Sequence, residues 1–173
     1  MGSSIKIQIV GYKNSGKTTL VSNLLKAASA AGLRAGTLKH HGHGGRIDFQ
    51  DENKDTGIHR SAGAVVSGVE GEGTFQLCLD QPVSFSRLVR LYELLELDLL
   101  LIEGFKEIQM PRVVLLKHDD DVELIRSSTN VLMAIAWPSF STEQISPVYP
   151  VYKLNEKEQY INFLMDWMKG RNL

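Results

Sequence analysis

The sequence predicts a three-layer α/β fold in one domain, with a mainly parallel central sheet flanked by helices and a β-hairpin outside that sheet. Two observations lead to it. A short strand, a helix and a second strand follow one another within residues 5–39, and this βαβ unit implies a parallel sheet. Further along, the almost unbroken apolar run at 97–102 has the pattern of a strand buried on both faces.

The first unit follows from local patterns. Residues 5–10 alternate apolar and polar side chains and end in two apolar ones, which is typical of a strand. One apolar stripe predicts a helix over 18–31, and Gly32 stands where a helix end favours a left-handed residue. A second strand is predicted over 33–39.

The middle of the chain begins with a polar, glycine-rich segment at 40–55, long enough to be a functional loop. Two β-like runs at 64–69 and 74–79 flank Glu70-Gly71-Glu72-Gly73 and predict a hairpin. The other predicted elements are helices over 54–62, 85–95 and 159–168 and strands over 112–116 and 131–136.

The composition is that of an ordinary globular protein. Hydrophobic residues make up 43% and charged residues 23%, which argues against a disordered chain. The formal net charge of -1 gives no electrostatic case for nucleic acid. The one cysteine, Cys78, cannot form an internal disulfide, and we interpret it as a small apolar strand residue. No signal peptide or membrane span is recognised, so we expect a cytoplasmic protein with no membrane contact.

The strongest functional signal is the segment GYKNSGKTT at 11–19, which matches the phosphate-binding pattern G-x-x-x-x-G-K-[ST]. Gly11 and Gly16 permit backbone angles and a close approach that a side chain would block. The loop amides and the following helix would hold phosphates, Lys17 would reach the β- and γ-phosphates, and Thr18 would place its hydroxyl on Mg²⁺. The segment lies between a strand and a helix, as the pattern requires, and therefore predicts a P-loop site for a purine nucleoside triphosphate.

The remaining residues of the predicted phosphate cradle are Lys13, Asn14, Ser15 and Thr19. Lys13 adds a second positive charge to the loop. In one subgroup of P-loop folds, a lysine directly after the first glycine reaches the nucleotide of the other subunit. Tyr12 occupies that position here, so a solvated lysine near phosphate is the simpler interpretation of Lys13.

The second signal is Glu103, which ends the apolar run. A carboxylate at the C-terminal end of a parallel strand faces the crevice where ligands bind, and from there it can reach Mg²⁺ or position a water. The alternative is an ordinary strand-end acid. Lys17 and Glu103 are the predicted catalytic residues, whereas Asp98 precedes the unbroken apolar residues 99–102 and is expected to lie at the opposite edge.

A polar cluster follows the second predicted strand. Lys39 ends that strand on the edge of the phosphate loop, and His40, His41 and His43 come next. These histidines could contact an anionic ligand, be solvated, or bind a transition metal. We predict that Lys39 and His41 contact the nucleotide.

Two further residues have predicted roles in the same site. Asp48 could approach Mg²⁺ as a third metal ligand with Thr18 and Glu103. Arg60 could pair with a phosphate, because its guanidinium group suits that geometry.

Together these residues resemble the family of molybdopterin-guanine dinucleotide biosynthesis protein B (MobB). The resemblance covers most of residues 5–116. It rests on GYKNSGKTTL, then TLKHHGH, then the KD…HRSAGA stretch at 54–64, and then DLLLIEGFK at 98–106. The phosphate loop alone is generic, but the ordered combination is specific to this family.

The resemblance implies a GTP-binding accessory protein of molybdenum cofactor assembly, with weak Mg²⁺-dependent GTPase activity. It implies a homodimer to which the predicted hairpin contributes. The implied partners are molybdopterin or its molybdenum-loaded form, and the guanylyltransferase that attaches GMP to molybdopterin. The implied site residues are the phosphate and metal ligands Gly11, Gly16, Lys17 and Thr18 and the acid Glu103.

The residues by themselves leave several functions open. The preference for GTP rests on the resemblance, because Asn53-Lys54-Asp55 does not fit the Asn-Lys-x-Asp motif that reads guanine, and ATP stays open. A small-molecule kinase with an acceptor near 40–60 and a nucleotide-gated adaptor without relevant hydrolysis are the alternatives. Slow hydrolysis suits a chain without an obvious arginine finger or water-positioning glutamine.

Overall fold

The protein is described from a computed structural model, which covers residues 4–42, 45, 47–145 and 148–171. These residues form two compact units, one within Met1–Gly42 and Leu91–Leu173 and the other within His43–Arg90. The single domain over 1–173 stays a prediction. None of the helices in the described ranges is long and apolar enough to cross a membrane.

Eight strands and five helices are described, together with short 3₁₀ turns at Asp119–Asp121 and Thr142–Gln144. In chain order they are β1 (Ile5–Gly11), α1 (Lys17–Ala30), β2 (Ala35–Lys39), α2 (Asp55–Ser61), β3 (Val66–Gly71), β4 (Thr74–Leu79), α3 (Phe85–Glu93), β5 (Leu99–Glu103), β6 (Arg112–Leu116), α4 (Val122–Arg126), β7 (Val131–Ala136), β8 (Val151–Lys153) and α5 (Lys157–Lys169).

The first unit is built on a six-stranded sheet in the order β2-β5-β1-β6-β7-β8. Every neighbouring pair in this sheet is parallel, so the carboxyl ends of all six strands lie at one edge. Alternate residues of the strands pack into two separate cores. One core includes the buried side chains of α1 and α5, and the other includes those of α4 and Phe140. The predicted three-layer arrangement is therefore confirmed.

Differences from the sequence prediction lie at element ends and in two short elements. The strand predicted from residue 33 begins at Ala35, because Gly32 has φ 75° and the Leu33 amide donates to the Ala28 carbonyl to close α1. The run predicted from 97 begins as a strand at Leu99. The sequence did not predict α4 and β8, which have five and three residues and so are too short to show a period.

The second unit contains α2 and the antiparallel hairpin β3–β4. Its two turn residues, Glu72 and Gly73, have φ of 48° and 79°, the positive values that a tight hairpin turn requires. The predicted hairpin is confirmed. On one of its faces Ser67 and Cys78 are buried, which also confirms the interpretation of Cys78 as a packed strand residue.

Candidate functional site

The loop between β1 and α1 is a tight turn at the sheet edge where the parallel strands end. Gly16 has a left-handed backbone (φ 102°, ψ 10°) and Asn14 has φ 59°. A Cβ on Gly11 would lie 2.5 Å from the Ser15 Oγ and 3.1 Å from the Leu115 carbonyl oxygen. Glycine is thus required at both ends of the loop, and the turn precedes the N-terminus of α1, where backbone amides favour anions.

The predicted phosphate ligands differ in accessibility. The side chains of Lys13, Asn14, Thr18 and Thr19 are exposed, as is that of Tyr12 in the same loop. Ser15 is buried instead, and its hydroxyl has no hydrogen-bond partner among the described residues. The phosphate contacts of these residues stay predictions.

The side chain of Lys17 extends across the loop. Its Nζ donates hydrogen bonds to the carbonyl oxygens of Gly11 at 3.0 Å and Tyr12 at 2.7 Å. Burial lowers the pKa of Lys17, the Glu103 carboxylate opposes that change, and the ammonium groups of Lys106 and Lys39 lower the pKa further. A bound polyphosphate would relieve this concentration of positive charge.

Glu103 lies at the C-terminal end of β5, beside β1. The register pairs Glu103 with Ile9, two residues before the phosphate loop begins. Its side chain is 14% exposed, and its Oε1 lies 3.3 Å from the Nζ of Lys39. At the other end of the strand, Asp98 accepts a hydrogen bond from the Arg34 amide at 2.7 Å. The predicted placement of Glu103 near the loop and of Asp98 at the opposite edge is therefore confirmed.

The donors at this edge fit Mg²⁺. Thr18 offers a hydroxyl oxygen and Glu103 a carboxylate, which are the hard oxygen ligands that Mg²⁺ prefers. Mg²⁺ in nucleotide sites takes one or two protein ligands and completes its shell from phosphates and water. The Glu103 carboxylate is engaged by Lys39, so metal binding would have to share or displace that ammonium group.

Sequence reasoning missed a buried residue that fixes the backbone after Glu103. Gln8 of β1 is fully buried, and its Nε2 donates to the carbonyl oxygens of Gly104 at 2.7 Å and Phe105 at 2.6 Å. Gly104 and Phe105 both have positive φ, 86° and 52°. Gln8 therefore stabilises an unusual turn directly behind the predicted catalytic acid. In a strand that alternates apolar and polar residues, a glutamine indicates a position that faces solvent. The one sequence signal against that interpretation was the predicted parallel sheet, because strands of such sheets are buried on both faces.

The histidine cluster is only partly described. The His40 ring lies 4.9 Å from the Phe105 ring, and its amide donates to the Glu103 carbonyl. His41 is exposed beside the end of β2, and its nucleotide contact stays a prediction. His43 lies outside the described residues. Within the described ranges, no group of three His, Cys, Asp or Glu side chains is placed to hold a metal ion.

Asp48 and Arg60 belong to the second unit. Asp48 is exposed, and its Oδ1 accepts a hydrogen bond from the Gln50 amide at 2.9 Å. Arg60 forms a two-pronged ion pair with Asp51 and also donates to the Ser67 hydroxyl at 2.7 Å. The Arg60 guanidinium is thus already satisfied within its own unit. The predicted metal and phosphate contacts of Asp48 and Arg60 stay predictions.

The Asp51–Arg60 ion pair predicts a pH dependence of the second unit. Hydrogen bonds from Arg60 and Thr56 lower the pKa of Asp51 from 3.8 to about 2. Because the folded-state pKa is depressed, the stabilisation is fully present above 3.8 and is lost as the pH falls towards about 2. We expect Arg60→Met to reduce amide hydrogen-exchange protection in α2 and the hairpin at near-neutral pH, and this deficit to shrink below 3.8.

The matched control is Lys54→Met, which removes an exposed cation just before α2 and should leave protection nearly unchanged. Equal protection in the wild type and the Arg60 variant at neutral pH would contradict a structural role for the ion pair.

Over most of its length, the chain is similar to proteins that are described as acting in the synthesis of molybdopterin guanine dinucleotide. The family described as molybdopterin guanine dinucleotide synthesis protein B matches residues 6–137. A relative from Bacillus subtilis, named as a probable molybdopterin-guanine dinucleotide biosynthesis adapter protein, is 38% identical over 166 residues, which cover 96% of this chain and 94% of the relative.

Two solved structures that resemble this chain in fold are also MobB proteins. The crystal structure of Bacillus subtilis MobB has a TM-score of 0.79 and 36% identity, and the match covers 94% of this chain and 96% of that one. The structure of a MobB homologue from Bacillus stearothermophilus has a TM-score of 0.77 and 34% identity, covering 95% of this chain and 98% of that one.

Proposed function

Since this chain belongs to the molybdopterin guanine dinucleotide synthesis protein B family, we propose that it is a GTP-binding accessory protein of that biosynthesis, with weak Mg²⁺-dependent GTPase activity. One observation carries the proposal. Lys17 crosses a loop that only glycine permits at positions 11 and 16, and the charge of the Glu103 carboxylate opposes the lowering of the pKa of Lys17. The relatives are named as biosynthesis adapters, and the proposal extends that role to this chain, acting in the cytoplasm where GTP is available.

In the proposed binding mode, phosphate oxygens replace backbone carbonyls as partners of Lys17. The ammonium group now held by Gly11 and Tyr12 would turn to the β- and γ-phosphates, with the loop amides and the first turn of α1 completing the cradle. Thr18 and Glu103 would hold Mg²⁺, and the bound ion would neutralise the negative charge that develops on the phosphates during hydrolysis.

The ion pair of Glu103 gives a reason for slow turnover. To position the attacking water, the carboxylate needs a free oxygen, yet Oε1 lies 3.3 Å from the Lys39 ammonium group. An oxygen that contacts the Lys39 ammonium group is less available to accept a hydrogen bond from that water. We therefore expect GTP hydrolysis to be slow unless a partner protein moves the Lys39 ammonium group away from Glu103.

The decisive experiment follows the labelled γ-phosphate of GTP. The protein is incubated with Mg²⁺, molybdopterin and the guanylyltransferase partner, and each is also left out in turn. Labelled orthophosphate, separated from the labelled pyrophosphate that guanylyl transfer itself releases and increased by the partner, supports the proposed GTPase. Label on molybdopterin would instead favour a small-molecule kinase, and GTP binding without release of labelled orthophosphate would favour a nucleotide-gated adaptor.

The proposal includes a homodimer, and the hairpin has a face suited to it. The strand register places Val66, Phe75 and Leu77 on one face, where their exposed fractions are 47%, 63% and 43%. Exposed apolar area of this kind marks association surfaces. We expect Phe75→Glu to shift the protein towards monomer, because dimerisation would bury the new charge.

Light scattering coupled to size-exclusion chromatography measures this shift. Gln76→Glu adds the same charge at the neighbouring exposed position on the other face of the hairpin and is the matched control. A Phe75 variant that keeps the mass of the wild-type oligomer would contradict a dimer contact through this face.

A further inference from the structure

We propose that the purine base of the bound nucleotide packs against the Trp137 indole, with Lys117 beside it, on the β6–β7 side of the phosphate loop. This inference rests on the proposed nucleotide binding and adds the position and chemistry of the base subsite. Neither the loop pattern nor the family likeness supplies it, since the chain has no Asn-Lys-x-Asp motif at the ends of these strands.

The charges around the loop determine the direction in which a nucleotide lies. The charged groups that shift the pKa of Lys17 are Glu103, Lys106 and Lys39. Glu103 ends β5, Lys106 lies in the segment after β5, and Lys39 ends β2. This side of β1 suits the terminal phosphates and their metal ion. The base is at the other end of the nucleotide and must therefore lie on the opposite side of β1, above β6 and β7.

Trp137 directly follows β7, on that opposite side. The sheet order places β7 two strands from β1, about 10 Å away at the usual strand spacing, a distance that the ribose and α-phosphate can span. The Trp137 amide donates to the Leu116 carbonyl at 2.8 Å, and the indole Nε1 donates to the Ser15 carbonyl at 2.8 Å. The indole is thus anchored to the phosphate loop itself while it stays partly exposed.

These contacts leave the indole suited to stacking. Its only polar group is used by Ser15, so a ligand that reaches the ring face opposite Lys117 meets an apolar aromatic surface. Aromatic side chains bind bases by stacking, and stacking does not depend on which base is bound because every base has a π-face.

Lys117 extends the same wall from the end of β6. Its Nζ lies 4.8 Å from the centroid of the Trp137 ring. Its backbone is held on both sides, since its amide donates to Asp121 at 2.6 Å and its carbonyl accepts from the Ser139 hydroxyl at 3.0 Å. The lysine can therefore pack its stem along a base and present its ammonium group to the ribose or the α-phosphate.

The buried carboxylate at this edge is already in use. Asp121 is 5% exposed, and its Oδ2 accepts hydrogen bonds from the amides of Lys117 and His118. It therefore supports the wall and is not free to read the edge of guanine. Consequently, Trp137 should contribute to the affinity for GTP and for ATP alike.

Tryptophan fluorescence tests the contact directly, because the chain has two tryptophans and the other, Trp167, lies on α5. In Trp167→Phe, saturating GTP with Mg²⁺ should quench the remaining signal from Trp137, whereas inorganic tripolyphosphate should leave it nearly unchanged. In Trp137→Phe, GTP should leave the Trp167 signal unchanged. Quenching by tripolyphosphate equal to that by GTP would overturn the proposal.

Calorimetry separates the base contact from support of the loop. We expect Trp137→Ala to weaken GTP and ATP binding by about 10-fold or more and to leave tripolyphosphate binding unchanged. Trp137→Phe keeps an aromatic ring but loses the hydrogen bond to Ser15, and it should keep most of the GTP affinity. If Trp137→Ala weakened GTP and tripolyphosphate equally, the indole would act only through the loop, and the base subsite would be refuted.

These outcomes also distinguish the inference from the function on which it rests. If the wild-type protein binds tripolyphosphate and GTP, and the Trp137→Ala variant binds GTP with unchanged affinity, the base subsite is refuted and nucleotide binding by the loop is not. A wild-type protein that binds neither ligand would refute both.

Discussion

Replacing Lys17 with alanine is expected to weaken GTP binding by about 100-fold or more while the fold is retained. Charge-assisted hydrogen bonds to two phosphates are lost together, and each is worth about 1.5–3 kcal/mol. The fold should persist because α1 contributes Leu20, Leu24 and Ala28 to the core, and alanine is a good helix former at the position where α1 begins. Calorimetric titration with GTP and Mg²⁺ measures the change, and circular dichroism checks the fold.

Lys26→Ala is the matched control for this variant. It removes the same charge from an exposed position on α1, nine residues beyond Lys17 and outside the predicted phosphate cradle, and it should change GTP affinity by no more than about threefold. Lys17→Arg keeps a cation while changing its geometry, so an intermediate affinity is expected. An unchanged affinity in Lys17→Ala would refute the phosphate assignment of the whole loop.

Replacing Glu103 with glutamine is expected to keep GTP binding and to reduce Mg²⁺-dependent phosphate release by about 100-fold. A positioned acid–base group contributes about 10²–10⁴-fold to catalysis, and glutamine has nearly the same shape without the negative charge. The same change removes the ion pair with Lys39, which frees a cation near the γ-phosphate and helps to preserve binding. Phosphate release measured across a Mg²⁺ titration separates weaker metal binding from slower chemistry.

Asp98→Asn is the control for this experiment, because it neutralises an acid at the opposite end of the same segment. It should leave turnover unchanged, although it weakens the hydrogen bond from the Arg34 amide. Full turnover in Glu103→Gln would mean that the catalytic acid lies elsewhere, and Asp48 would be the next residue to replace.

Local patterns were sufficient for much of the fold. The hydrophobic alternation of β1, the stripe of α1 and the doubly buried run of β5 each depend on near neighbours, and all three appear in the structure close to their predicted bounds. The glycine loop also follows from local chemistry, because only glycine fits its backbone at positions 11 and 16. Parallel pairing then placed Glu103 at the edge of the phosphate loop.

Other features depended on contacts between distant parts of the chain. Trp137 donates to Ser15 across 122 positions, and Gln8 donates to Gly104 across 96. The engagement of Arg60 by Asp51 likewise follows from how α2 and the segment before it pack. A sequence period shows which face of an element is apolar, and a motif shows which backbone a loop must adopt.

The sequence alone therefore determined the parallel α/β framework, the hairpin and a glycine loop that matches the phosphate-binding pattern. The tertiary structure decided which side chains surround that loop, namely Lys39 on Glu103, Gln8 behind the following turn, and Trp137 against Ser15. The physical reason is that strand order and register bring these residues together, and both are set by the packing of the whole sheet rather than by any one segment.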